Sequence, residues 1–597
     1  MQVLLRFFLM AIAFLLSTAT QTFAMPEIIP LDKIQSGMSG VAYTIVDNTG
    51  VIKPFNVDII GLMDNGKGST KMIMAKASGS VIEETGGILQ GMSGSPVYVD
   101  GKLIGAVSAG LKEMSPYTFF ITPIESMLEL WNLPDNKAVN KYIKPAENED
   151  VAEIPDKLEN IQPQPENSEQ KSVFFFSGFD SSGLNFLKNE LQPLGFKNFY
   201  AASSSASKND IKFDASLEPG SAIGVAVVCG DFLVGATGTV TAVDDKRIIG
   251  FGHPFTHAGN VNFFMTDSYV VGSVSGADGN GVKIAGVGNI IGRINQDRES
   301  GVAGLIGKFP SVVPISVTIK NPALNKSETY NATIAYNENL IPKLGASIAY
   351  TALSKTADSL SESTVTVDFE IKTNVVEGGV LSRRNMFYSQ ADVGQLAISE
   401  LLQSLTLICS NTTEESNIFG IDVNMTMNPE RKTASLISAI PDKKKVKPGD
   451  TVNLTVTLQP YRKPEERIII PYTVPISMKE GPMVLDLHGG SLVPVAKATT
   501  ASAAVITPST STPKEIYAEK IKKLVSTGKS NQLVVELNSA SISKTPKEIK
   551  KDLARAKKVK ARLAKSGQKI TPASVSKIDT GYIIDNVIQI TLNVDKI

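Results

Sequence analysis

From residue 28 to residue 131 the chain is written in short alternating apolar and polar runs, cut by Gly, Asn and Asp. A period of two fits a strand with one buried face and does not fit a helix, so this stretch has to fold as β. Asp100-Gly101 falls between two such runs, and both residue types tolerate the positive φ of a type I′ turn, so the pair predicts a hairpin. Residues 211–318 repeat the β pattern with many glycines. Between these stretches, residues 132–171 are rich in Pro, Glu, Asn and Gln. They hold too little apolar surface to bury, which predicts an acidic, Pro-rich linker. Residues 172–210 read as a strand, a helix and a return, a small α/β insert.

The rest of the 597 residues is also mostly β, in a chain with room for several domains at about 150 residues each. Residues 319–411 alternate over long strands, with a helical stretch at 393–409, and residues 412–490 read as a β-sandwich-like module. Residues 491–511 are rich in Ala, Thr, Ser and Pro and predict a second linker. In 512–597 the string Thr512-Pro513-Lys514-Glu515 recurs as Thr545-Pro546-Lys547-Glu548. Each is a capping box, so the tail predicts an αβαβ unit, its second helix over 544–569 and Gly528 as a left-handed cap of the first.

Residues 1–24 carry Arg6, an apolar run over 7–16 and the small-x-small string Thr22-Phe23-Ala24. That is the pattern of a cleaved signal peptide, so the expected location is outside the cytoplasm: periplasm, cell surface or medium. No later segment is apolar enough to span a membrane once the signal is removed. Lys+Arg and Asp+Glu are equal at 59 each, which excludes a basic nucleic-acid binder. Two Cys exclude a disulfide scaffold, and Cys229 in an apolar run reads as a buried thiol. Three His leave little for a metal site, and no cofactor or metal is expected.

The strongest chemical signal is Gly91-Met92-Ser93-Gly94-Ser95-Pro96, followed by the Asp100-Gly101 hairpin. A Ser between glycines on a tight loop suits a nucleophile, because the glycines let backbone N–H groups turn toward one point. A serine hydroxyl needs a base. His253, in Gly250-Phe251-Gly252-His253-Pro254, is the candidate; His257 follows it and His488 lies far away in sequence. Gly37-Met38-Ser39-Gly40 repeats four letters of the motif without the Ser-Pro and the hairpin, so Ser39 reads as a turn residue.

Residues 86–107 closely resemble the signature of the stage IV sporulation protein B (SpoIVB) family of serine peptidases, with Ser93 at the nucleophile. Residues 238–253 resemble that family's histidine segment, and 287–304 the piece that follows it, with the Ser and His segments in reversed order here. The resemblance implies a mainly β, chymotrypsin-like double barrel built from two separated segments, 25–131 bearing Ser93 and 211–318 bearing His253. It implies an oxyanion hole from the N–H groups of Gly91 and Ser93, and an edge strand at Gly105-Ala106-Val107-Ser108-Ala109 that pairs with a peptide substrate. Ser78 stands where the family has its acidic triad member. Asp267, Asp244, Glu83 and Glu84 are the candidate substitutes for it. The expected function is an exported serine endopeptidase acting on a protein or peptide, with a cell-envelope component as a further partner. The competing reading is a catalytically weak or inactive protease-like scaffold in a cell-envelope binding protein.

Overall fold

The computed structural model describes residues 25–64, 71–108, 110, 115–136, 174–196, 199–201, 217–275, 281–357, 361–491, 512–538, 554, 556–559 and 575–595. The expected signal peptide, most of both expected linkers and most of the expected helix over 544–569 lie outside these residues. The chain divides into two compact units, 1–313 with 332–340, and 314–331 with 341–597.

The first unit holds two six-stranded barrels. β1 (Ser39–Thr44), β2 (Lys53–Met63), β3 (Met72–Ser78), β4 (Pro96–Val99), β5 (Lys102–Val107) and β6 (Thr118–Pro123) close in the order β1-β2-β3-β6-β5-β4. A short helix, α1 (Ser80–Thr85), lies between β3 and β4, and α2 (Ile124–Leu128) follows β6. Alternation builds the barrel: along β2, Phe55, Val57 and Ile59 are buried while Asn56 and Asp58 are exposed. The inward residues meet Ile73, Ala75, Val97 and Phe119 in one core. At the β4–β5 turn Asp100 and Gly101 have φ of 50° and 75°, as a type I′ turn requires. Ser39 opens β1 instead of sitting in a turn, and its hydroxyl donates to Asp58.

The insert contributes β7 (Phe174–Ser177), α3 (Ser181–Leu191) and β8 (Phe199–Ala201), with β7 lying beside the next barrel. That barrel consists of β9 (Ala222–Gly230), β10 (Leu233–Asp244), β11 (Arg247–Gly250), β12 (Gly259–Val274), β13 (Val282–Arg298) and β14 (Gly301–Ile306). Their pairings run β9-β10-β11-β14-β13-β12 and return from β12 to β9. Counted from its own first strand, each barrel therefore has the same connectivity. This is the chymotrypsin-like double barrel that the resemblance implies. Leu103, Ala106, Ile124 and Met127 of the first barrel share a core with Ala242, Ile249 and Ala303 of the second. That common wall fixes how the loops of the two barrels face each other.

One expectation fails here. Residues 105–107 are not a sheet edge, because β5 pairs with β4 on one side and with β6 on the other. Closure of the ring uses both rows of backbone groups, so no substrate strand can add there.

In the second unit, the strands Val380–Ser389, Ser363–Thr373, Ile418–Asn428 and Val312–Asn321 lie side by side. The helix Gly394–Cys409 was legible in the sequence; the helix Ile341–Ala357, almost wholly buried, was not. Its Ser347, Thr351 and Thr356 are buried among the apolar residues, their hydroxyls donating to carbonyls one turn back, so the polar positions mark no outer face and no stripe stands out. Residues 412–490 and 512–597, expected as separate modules, share one core: Gly481–Gly489 pairs with both Gln532–Leu537 and Val587–Val594, and Val456, Leu485, Leu533 and Leu592 pack together. The capping box at Thr512 is present, with Glu515 N–H donating to Thr512 Oγ1 and Thr512 N–H to Glu515. That helix ends at Ser526. Gly528 is not a left-handed cap; it packs backbone to backbone against Gly490, where a side chain has no room.

Candidate functional site

The equivalent loops of the two barrels, each between third and fourth strand, carry Ser93 and His253. The Ser93 loop is pinned carbonyl by carbonyl. Gln90 O accepts from Lys283 N–H at 2.8 Å, and Gly91 O from Thr239 Oγ1 at 3.2 Å. Met92 O accepts from the N–H and hydroxyl of Ser95 at 3.0 and 2.6 Å. Ser93 O accepts from Thr239 N–H at 2.9 Å, and Gly94 O from Thr241 Oγ1 at 2.7 Å. Met92, Gly94 and Ser95 donate their own N–H groups to Leu89 O, Val107 O and Met92 O. Gly91 N–H and Ser93 N–H have no acceptor among the described residues. A trans peptide points its C=O and N–H in opposite directions. Pinning Gln90 O and Met92 O therefore turns the Gly91 and Ser93 N–H groups the other way.

Apart from Ser95, the donors that fix this loop come from the other barrel: Thr239 and Thr241 on β10, Lys283 on β13. Sequence reasoning placed Thr239 and Thr241 only inside the histidine segment and did not single out Lys283. No local signal marks them, because their partners lie some 150 to 190 residues away. Lys283 is fully buried, and burial lowers its pKa from 10.5 to about 7.

His253 is 2 % exposed. Its Nδ1 lies 2.8 Å from Pro254 O. A carbonyl only accepts, so Nδ1 carries the proton and Nε2 the lone pair of the neutral ring. Burial pushes the His253 pKa below its ordinary 6.5, against the Pro254 bond and the nearby Asp297. Asp297 itself is fully buried and accepts from the N–H groups of Phe255, Thr256 and Ala258 and from Thr256 Oγ1, at 2.7 to 3.2 Å. It organises the loop just after the histidine, a role sequence reasoning missed.

The two loops touch. Gly252 O accepts from Ser108 Oγ at 2.9 Å and from Thr122 Oγ1 at 2.5 Å, and Gly94 packs on the backbone of Thr239 and Phe251. Among the described residues, neither Ser93 Oγ nor His253 Nε2 has a hydrogen-bond partner, and the two are not bonded to each other. Ser78 is exposed at the end of β3. Of the four carboxylates considered, Asp267 accepts from Asn289, Asp244 pairs with Arg247, and Glu83 and Glu84 are exposed on α1. None bonds to His253; a backbone carbonyl holds its tautomer. His257 is exposed, and His488 lies in the second unit, bonded to Gly489 O and Glu536. Cys229 and Cys409 carry thiols and are half-buried.

With its pKa lowered, His253 stays neutral to lower pH than a free imidazole. The acid limb of any His253-dependent reaction is therefore expected below pH 6.5, read from rate against pH.

Residues 16–128 match the model of the SpoIVB peptidase S55 family. The chain thus carries a SpoIVB-type peptidase domain, a serine peptidase at the level of the family. The match includes Ser93 and its loop and ends before His253. No curated protein and no solved structure matches the chain. Among the described residues no helix is long and apolar enough to cross a membrane.

Proposed function

We propose that the protein is an exported serine endopeptidase that cleaves an extracytoplasmic protein, or itself, with Ser93 as nucleophile and His253 as base. The observation that carries this reading is the Ser93 loop, whose every carbonyl from Gln90 to Gly94 takes a donor while the N–H groups of Gly91 and Ser93 have no acceptor among the described residues. Two such unused donors on the peptides next to a nucleophile suit the oxyanion of a tetrahedral intermediate.

His253 Nε2 takes the Ser93 proton as Oγ attacks the scissile carbonyl, and Gly91 and Ser93 N–H stabilise the oxyanion. Collapse breaks the C–N bond, and Nε2 returns the proton to the leaving amine. Water then attacks the acyl-enzyme with His253 as base, releasing the acid and regenerating the hydroxyl. During both steps Pro254 O supports the imidazolium, the part an acid plays elsewhere. The Ser93–His253 hydrogen bond forms when substrate is bound, since such bonds are often loose in the free enzyme. Export rests on the leader 1–24.

The test is labelling of the purified mature protein with a fluorophosphonate. Labelling that Ser93→Ala abolishes is expected. A folded protein that does not label would favour a protease-like scaffold without activity, as would equal labelling of Ser93→Ala.

A further inference from the structure

The amine of Lys283 is fully buried where β13 meets the Ser93 loop and takes no part in the chemistry above. Its Nζ donates to Thr239 Oγ1 at 3.1 Å, and Thr239 Oγ1 donates onward to Gly91 O at 3.2 Å. Its own backbone N–H holds Gln90 O. A Cβ placed on Gly91 would lie 3.2 Å from Lys283 Cβ and 3.4 Å from Cε, so the lysine stem is the floor on which the Gly91 peptide rests. An ammonium has three donors, and here one acceptor is within reach among the described residues. A buried lysine is ordinarily paired with a carboxylate; among the described residues this one is hydrogen-bonded only to a threonine hydroxyl.

Building on the Ser93 reading, we propose that Lys283 is a positioning residue of the oxyanion hole, fixing the Gly91–Met92 peptide through Thr239 so that the Gly91 and Ser93 N–H groups stay turned toward the reacting carbonyl. Its side chain pins the peptide after Gly91 and its backbone the peptide before, so a single residue clamps both sides of one oxyanion donor. Burial makes the clamp a neutral amine above about pH 7. Among the described residues, the segments packed against it present no free carboxylate. The loop 86–96 has none, Asp244 of β10 pairs with Arg247, and Asp267 of β12 accepts from Asn289.

The clamp carries a stability penalty. Between pH 7 and pH 10.5 the unfolded chain binds a proton at Lys283 that the folded protein does not, so stability rises with pH across that window and the penalty is full below it. A residue whose removal raises stability while slowing the reaction is retained for function.

The experiment compares saturation kinetics of fluorophosphonate labelling and thermal midpoints for the parent, Lys283→Met, Thr239→Val, Thr239→Ser and the double variant Lys283→Met/Thr239→Val. Lys283→Met is expected to slow the bond-forming step about 10- to 100-fold, below the cost of deleting an oxyanion donor outright, with probe affinity unchanged. Its midpoint should rise, and its stability should lose the pH slope between 7 and 10.5. Thr239→Val should slow labelling similarly, Thr239→Ser should restore most of the loss, and the double variant should be no slower than the slower single one. Labelling of Lys283→Met at the parent rate overturns the clamp and leaves the Ser93 reading standing. So does a loss that only follows a lowered midpoint. Equal labelling of the parent and Ser93→Ala overturns both.

Discussion

Replacing Ser93 with Ala, or His253 with Ala, is expected to lower peptide hydrolysis by about a million-fold, and the double variant should lose no more. On the proposed mechanism the hydroxyl and the ring act as one unit: without Nε2 to take the proton, Ser93 Oγ would be a weak nucleophile, and without Oγ the base would have nothing to activate. A residual rate about 10³–10⁴ above water should remain in each variant, supplied by the Gly91 and Ser93 N–H groups and by substrate binding. His253→Ala is the more informative of the two, because the ring lies in a segment outside the family match. Steady-state hydrolysis of a casein-type protein substrate, with single-turnover phosphonylation beside it, reads both. If His253→Ala retained a tenth of the parent rate, another group would have to be the base.

The second large effect is expected from Gly94→Ala. Gly94 has φ of 95°, which an alanine adopts only under strain. A methyl group there would overlap Thr239 O and stand 2.5 Å from Phe251 N. Both are backbone, one in the strand that pins the Ser93 loop and one beside His253, so neither can swing aside. Strain and overpacking together predict a loss of about 3–5 kcal/mol, read as a shift in the urea midpoint. Labelling should fall far more than the folded fraction, because relief of the clash separates the two loops. Gly37→Ala is the control. It lies in the echo of the motif with φ of 88° and open space around it, so only the backbone strain of about 1 kcal/mol remains. Equal effects at the two positions would overturn the reading of Gly94 as the contact that seats one barrel's loop on the other.

The local features were legible in the residues themselves. Alternation in 53–63 and its neighbours specified strands, Asp100-Gly101 a hairpin, Thr512 to Glu515 a capped helix start, and Gly91 to Pro96 a tight loop presenting Ser93. These are legible because their causes lie within a few residues: side-chain period, φ tolerance, a cap reaching three positions along. The remaining features arise from long-range pairing. That β5 is an inner strand, that residues 412–490 and 512–597 share a core, and that both rings have one connectivity depend on which strands pair across long separations. Periodicity carries no record of strand partners. The same holds for the site. Ser93 and His253 were readable as residue types in short motifs, but Thr239, Thr241, Lys283 and Asp297 are ordinary strand residues until folding brings an unpaired carbonyl or N–H opposite each. A backbone loop can offer two unused N–H donors only if every other polar group in it is satisfied, and here the partners of four of its five carbonyls from Gln90 to Gly94 come from the second barrel.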